Sequence, residues 1–515
     1  MNFSSKHTLP ALALLGLTLG SCQPTLDDNR PAATAGSADF SRYIAVGNSL
    51  TAGVSDGGLY REGQLSSYPN ILAQQFAQVG GGPFVQPLFS EAQSNGTGYL
   101  QLTGFTPATP TATSAPLTAS VTSKLAVRGA VVTRSNPATN PQPIYTKDLS
   151  EVNNLGISGI RMSDILTPGF GNVALTGGTA SAPTSIFNSY FERITPDNSN
   201  ESYLDRVKRT VASIKPTFFT EWLGNNDVLG YATAGGAANS ITPAVTFAVN
   251  TGYVLDALTS GGAKGVVITI PDVTNIPFFT AVGPSFRANL DLNKVPVAAA
   301  PFIYTTGTLA PSATPGANAR VTTTLSSIRD ASGSGNLLLM LTASPYVSFY
   351  GKVSGKYWRD FYRQATGAYP TRPTDPAFNA FLGGMGVDTT QAFGQSSGNP
   401  FPSTLVLDPT EQAAVASATT TFNATLTAAA TSRDLAIFDS NTFFRGVAQG
   451  GYVTNAVNNT AGFISGNLFS LDGVHPTPRG YAVVANEIIK VINAKYGSSL
   501  RQVDANAYRG VQFPQ

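Results

Sequence analysis

The 515-residue chain holds a single cysteine, Cys22, and only two histidines, His7 and His475. One cysteine excludes an internal disulfide and any thiolate metal cage. Two histidines, one of them seven residues from the start, leave only carboxylates as further ligands, so no metal site is expected. Charge is scarce as well: 12% of residues are charged and the formal net charge is +2. Such a balance gives no electrostatic footprint for nucleic acid, and none is expected as a partner. Beyond the N-terminus no apolar run approaches the about 20 residues that a membrane-spanning helix needs.

What is present begins with MNFSSKHTLPALALLGLTLGSC. A basic residue, a short apolar run from Leu9 to Gly20 and small residues at its end read as a secretory signal over residues 1–21. Its close, LGSC, resembles a bacterial lipobox, which implies that Cys22 is lipidated and becomes the new N-terminus. The expectation is an exported bacterial lipoprotein, periplasmic or surface-exposed, anchored in the outer membrane through Cys22. Residues 22–39 lack any apolar period and read as a flexible tether. Removing residues 1–21 takes away Lys6 and no acid, which lowers the formal charge from +2 to +1.

From residue 40 to 498 strand-like and helical patterns alternate. RYIAVGNS (42–49), the run ending in NLGISG (154–159), TFFTEWLGNND (217–227), KGVVITIPD (264–272) and LAIFDSN (435–441) read as five strands, each ending in a loop. Helical patterns lie between them: SYPNILAQQFAQVG with Pro69 in its first turn, SYLDRVKRTVASIKP, a stretch around 242–260, and 409–432 with Thr410 or Asp408 as cap. A last helix opens at Thr477-Pro478, runs through Tyr496 and stops at Gly497. This alternation predicts an α/β fold, a three-layer αβα sandwich around a central, mostly parallel five-stranded sheet. Two stretches break it and read as insertions: 92–147, which has no acid and forms a β-hairpin or a long loop, and 281–404, with its aromatic run SPYVSFYGKVSGKYWRDFYRQ. Residues 499–515 read as a C-terminal tail.

In a doubly wound sheet, ligands bind where loops leave the carboxyl ends of the strands. Those exits here carry GNSLTAG, NLGISG and GNND, and the loop before the last helix carries DGVHP. In this order the four stretches resemble the sequence blocks of the SGNH hydrolases, the GDSL esterases and lipases. The resemblance implies an SGNH/flavodoxin-like fold and an ester hydrolase that works through an acyl-enzyme without a metal or other cofactor. It puts the family's serine on Ser49, its oxyanion-hole glycine on Gly159, its asparagine on Asn226, and its aspartate and histidine on Asp472 and His475. The chemistry is consistent with that transfer. A serine hydroxyl needs a base, an imidazole serves near neutral pH, and a carboxylate fixes the imidazole's tautomer. The N–H groups of Ser49 and Gly159 and the side-chain amide of Asn226 would receive the oxyanion. His475 alone can be the base once the leader carrying His7 is gone.

One residue departs from the family pattern: Asn48 stands where the first block usually has Asp, which affects local hydrogen bonding rather than the nucleophile. GQSSG (394–398) matches the G-x-S-x-G nucleophile elbow, but it lacks a preceding strand, and prolines follow it, so Ser396 reads as loop. Trp222 reads as packing beneath the site. Tyr357, Trp358, Phe361 and Tyr362 read as insertion core, with a lid over an acyl chain as the alternative. Lys356 and Arg359 read as a solvated face. The expected substrate is a carboxylic ester: a lipid, an aryl ester or an acylated glycan. The alternatives are a carbohydrate O-deacetylase or thioesterase using the same residues, and a non-catalytic glycan- or partner-binding lipoprotein on this scaffold.

Overall fold

A computed structural model describes residues 32–131, 142–175, 187–307, 309, 319–372 and 375–514. Of the two compact units, Met1–Ala32 and Ala33–Gln515, the first lies almost wholly outside the described residues. The signal segment 1–21 and Cys22 lie there with it. No helix among the described residues is long and apolar enough to cross a membrane.

The second unit is built on five strands: β1 (Tyr43–Gly47), β2 (Asn154–Gly156), β3 (Phe218–Trp222), β4 (Lys264–Ile268) and β5 (Ala436–Phe438). All pair in parallel, in the order β5-β4-β3-β1-β2. β1 and β3 are buried along their whole length, as strands covered on both faces must be. Alternate residues serve the two faces. Tyr43 and Phe218 point towards Phe76 on helix α2 (Tyr68–Ala77), and Phe218 also meets Tyr496 at the end of helix α7 (Pro478–Tyr496). The opposite layer consists of α3 (Tyr203–Ile214), α5 (Ala244–Thr259) and α6 (Pro409–Thr431), in which Phe247 stacks on Phe422 with ring centroids 4.0 Å apart. The expected three-layer αβα fold is present.

The helix boundaries follow from local chemistry. Ser202 and Asp205 form a reciprocal capping box at α3. Asp408, rather than Thr410, caps α6: it accepts the Glu411 N–H at 2.9 Å, while Glu411 accepts the Asp408 N–H at 2.8 Å. Thr477 accepts the Gly480 N–H at 3.1 Å, Pro478 takes the first turn, and Gly497 closes α7 with φ +63°.

Within 92–147 the described residues form two antiparallel pairs, Tyr99–Phe105 with Pro116–Val121 and Val127–Val131 with Gln142–Tyr145. The 281–404 stretch has its own hydrophobic cluster. Trp358 is fully buried there among Phe302, Leu339 and Phe401, and its Nε1–H donates to the Asn399 side chain at 2.9 Å. The two ends of the unit differ from a loose tether and a loose tail. Thr34 N–H donates to Ser499 Oγ at 2.9 Å and Ser37 N–H to the Tyr496 carbonyl at 2.8 Å, so residues 34–37 are held against the rest of the unit. At the other end Ala505 and Val511 are buried. Both segments carry backbone and side-chain groups that find partners on α7, which no hydropathy period announces.

Candidate active site

The sheet order turns back on itself at β1, whose two neighbours are β2 and β3. That reversal opens a crevice at the carboxyl ends of β1 and β3. Immediately after β1, Asn48 accepts the Leu50 N–H on Oδ1 at 2.9 Å and starts the four-residue helix α1 (Ser49–Ala52). Ser49 is the first residue of that helix, so its N–H has no partner within it. After β3, Gly224 leads into helix α4 (Asn225–Ala232), which carries Asn226 in its first turn.

The third contributor is the loop before α7. Gly473 there adopts φ +70°, and a Cβ on it would lie 2.8 Å from the Phe278 nitrogen, so only glycine fits. The tight turn folds Asp472 back on the residues that follow. Its Oδ1 accepts the N–H groups of Val474 and His475, each at 2.9 Å, and the Ser470 hydroxyl at 3.1 Å. Its Oδ2 faces His475 Nδ1 at 2.7 Å and accepts the Gly57 N–H at 2.8 Å. Burial alone would push this carboxyl up. The His475 imidazole and the ring of donors overcome that and hold its pKa at about 2. On its other edge the imidazole Nε2 lies 2.9 Å from Ser49 Oγ.

A second carboxylate braces this loop. Asp56, buried and with φ +52°, donates its N–H to Ser470 Oγ at 2.8 Å and accepts the Leu471 N–H at 3.1 Å. Its other oxygen accepts the Tyr60 hydroxyl at 2.8 Å, with the Arg509 guanidinium 3.6 Å away. Arg509 also donates to Tyr60 at 2.9 Å and to both oxygens of Glu62, at 2.6 and 2.9 Å. The C-terminal segment thus reaches the back of the loop that carries Asp472 and His475.

Asn226 Nδ2 donates to the Ile160 carbonyl at 2.8 Å, which fixes its amide beside the loop that follows β2 and leaves its second N–H available. Its neighbour Asp227 reaches the same loop, accepting the Met162 N–H at 2.7 Å and the Thr242 hydroxyl at 2.6 Å; burial raises its pKa to about 6. Gly159 has φ +80° at the tip of that loop, and among the described residues its N–H meets no acceptor.

Ser49, Asn226 and His475 line one cleft with a cavity volume of about 50 Å³. Its other walls are almost wholly apolar: Leu50, Trp222, Leu229, Val273, Ile276, Phe444, Phe469 and Val474. Trp222 is fully buried, hydrogen-bonded from Nε1 to the Thr269 carbonyl at 3.1 Å, and still forms part of the cleft floor. None of Tyr357, Trp358, Phe361 and Tyr362 lines it, which favours their reading as insertion core over a lid. Ser396 lies in an irregular turn, hydrogen-bonded to Gln391 and bridged to Asn399, without the strand and helix of a nucleophile elbow. Lys356 pairs with Asp360 at 2.7 Å on a partly exposed helix face. No metal-ligating cluster of three or more His, Cys, Asp or Glu occurs among the described residues.

Sequence reasoning missed Asp56, Gly57, Ser470 and Arg509. The Asp-Gly pair at 56–57 is a turn signal, but nothing local says what the turn touches. Arg509 has no sequence signature at all. The family model described as GDSL-like Lipase/Acylhydrolase matches residues 43–488. No curated protein and no solved structure matches the chain.

Proposed function

The chain belongs to the GDSL-like lipase/acylhydrolase family, whose members hydrolyse acyl esters, and from that premise we propose that Ser49, His475 and Asp472 form its catalytic triad. The observation that carries this reading is the unbroken line of contacts from Asp472 Oδ2 through His475 to Ser49 Oγ, at 2.7 and 2.9 Å. Ser49 Oγ attacks the ester carbonyl carbon as its proton passes to His475 Nε2. The carbonyl oxygen becomes an oxyanion, received by the N–H groups of Ser49 and Gly159 and the free N–H of the Asn226 amide. The intermediate collapses, and the C–O bond to the alcohol breaks as imidazolium returns the proton to the leaving oxygen. Water, deprotonated by His475, then attacks the acyl-enzyme and frees the acid and Ser49. Asp472, held ionised far below neutral pH, keeps the proton on Nδ1 and stabilises the imidazolium.

The cleft suits an ester with a compact apolar acyl group. Its walls offer hydrocarbon, and its volume is well below the roughly 150 Å³ of an apolar cavity that admits benzene. The leader and Cys22 support a lipid-anchored, exported protein, which detergent-phase partitioning of the full chain and of Cys22→Ser tests directly. If both partition alike, the anchor is wrong.

Residues 23–515 should hydrolyse p-nitrophenyl esters, and Ser49→Ala, shown folded by circular dichroism, should not. A serine-reactive phosphonate should label Ser49 and fail to label His475→Ala. Turnover that survives Ser49→Ala overturns the triad. A folded protein inert to esters and phosphonate alike favours the binding-lipoprotein reading instead.

A further inference from the structure

The Ile160 N–H donates to the Ile157 carbonyl at 3.3 Å, closing a four-residue turn with Gly159 in its third position at φ +80°. That is the geometry of a type II turn. Types I and II differ by a flip of the central peptide, here the one joining Ser158 to Gly159. Glycine permits both forms, because it takes φ of either sign without steric penalty. In a trans peptide the C=O and N–H point in opposite directions, so the flip would turn the Gly159 N–H away from the side it now faces. The donor needed for an oxyanion therefore sits on a peptide whose glycine permits either orientation.

One side chain outside the four sequence blocks acts on that peptide. Asn188 donates from Nδ2 to the Ser158 carbonyl at 2.9 Å. Its Oδ1 accepts the N–H groups of Tyr190 and Phe191 at 2.9 and 3.0 Å, capping the short helix Ser189–Glu192. Its backbone is tied down as well, the N–H donating to the Phe170 carbonyl at 2.8 Å. The amide is thus oriented by the helix end and presents its donor to the carbonyl of the flippable peptide. We infer that Asn188 is a positioning residue that locks the Ser158–Gly159 peptide in the type II form and so keeps the Gly159 N–H pointed at the oxyanion.

This inference rests on the assignment of Ser49 and Gly159 under the proposed function, and the two are separable by experiment. Asn188→Asp keeps an oxygen to cap the helix, since Asp caps as well as Asn, but puts a carboxylate oxygen where the donor was. Asn188→Leu removes both functions. With a p-nitrophenyl ester that the wild type turns over, both variants should lose about 10- to 100-fold in kcat, less than or equal to the loss of one oxyanion donor, with KM within about twofold. Affinity for an alkyl trifluoromethyl ketone, which forms a charged tetrahedral adduct on the serine, should fall by the same factor. Asn188→Asp should keep the wild-type Tm. Full kcat in Asn188→Asp with loss only in Asn188→Leu would make the residue a helix cap and overturn the inference. So would a change in KM with kcat intact. Ser49→Ala run alongside separates the failures: if it keeps turnover, the triad assignment falls as well; if it is dead while Asn188→Asp is fully active, only the lock is wrong.

Discussion

His475 Nε2 and Ser49 Oγ meet at 2.9 Å although 426 positions separate them in the chain. The contact exists because Ser49 leaves the central strand and His475 sits on a loop clamped to the turn just past α1 by the Gly57–Asp472 and Asp56–Leu471 hydrogen bonds. His475→Ala removes the proposed base and should lower kcat on an ester substrate by about 10⁴-fold or more. Asp472→Asn keeps the shape but favours the wrong imidazole tautomer and should lower kcat by about 10³- to 10⁴-fold. Steady-state kinetics on folded protein checks both, and a variant of either kind within tenfold of wild type would remove that residue from the triad.

The C-terminal segment should matter for activity. Arg509 answers the carboxylates of Asp56 and Glu62 together with the Tyr60 hydroxyl, and Asp56 in turn holds Ser470 and Leu471. Arg509→Ala leaves Asp56 buried with one partner fewer. Stability should fall by about 1–3 kcal/mol, towards the lower side of the cost of breaking a buried pair because Arg509 is partly exposed. A loosened 470–472 loop should also reduce kcat severalfold. Denaturant unfolding and kinetics test this together; unchanged values for both would reduce the network to surface decoration.

How much of this was legible in the sequence depends on the range of the interaction. The five strands and their helices, the cap at Thr477-Pro478 and a cap at Asp408 or Thr410 are written in local periodicity and turn chemistry. Ser49, Gly159, Asn226, Asp472 and His475, at three strand exits and the loop before the last helix, stand out only through their resemblance to a family's sequence blocks. The Asp472–His475 contact itself spans three residues. Arg509 reaching Tyr60, Asn188 reaching Ser158, and Thr34 reaching Ser499 join segments 30 to 465 positions apart. Polar pairs of that kind leave no period in the chain, because each partner is a single side chain whose address is set by the whole fold.

Glu221 gives the protein a pH-dependent stability that is separate from catalysis. It lies in the middle of the sheet on β3, fully buried, and its Oε1 accepts the Leu223 N–H at 3.0 Å. Burial raises its pKa from 4.5 to about 8. The folded state therefore holds a proton that the unfolded chain releases near its ordinary pKa. The stabilisation is fully present below about pH 4.5 and is lost as pH rises towards 8, by roughly 3–5 kcal/mol across that window. Glu221→Gln, neutral at every pH, should flatten this part of the curve. Urea unfolding at pH 5 and pH 8 decides it: if the variant loses as much stability over that interval as the wild type, Glu221 is ionised in the fold.

The cleft walls should set acyl selectivity. Leu229 on α4 and Phe444 approach the space beside Ser49 from different elements, and neither touches the triad by hydrogen bond. Phe444→Ala removes a ring from the lining of a cleft with a cavity volume of about 50 Å³, and Leu229→Phe adds bulk to that lining. On p-nitrophenyl esters from acetyl to decanoyl the wild type should prefer short chains. Phe444→Ala should raise kcat/KM for octanoyl relative to acetyl by about 10-fold or more, since each buried methylene contributes about 0.8 kcal/mol. Leu229→Phe should move the preference the other way and leave acetyl turnover within a few fold. Because both changes act through shape, the ratio between substrates is the informative quantity, and a stability loss that lowers all rates equally does not alter it. If the chain-length profile stays the same in both variants, the acyl group binds elsewhere and this cleft holds the alcohol.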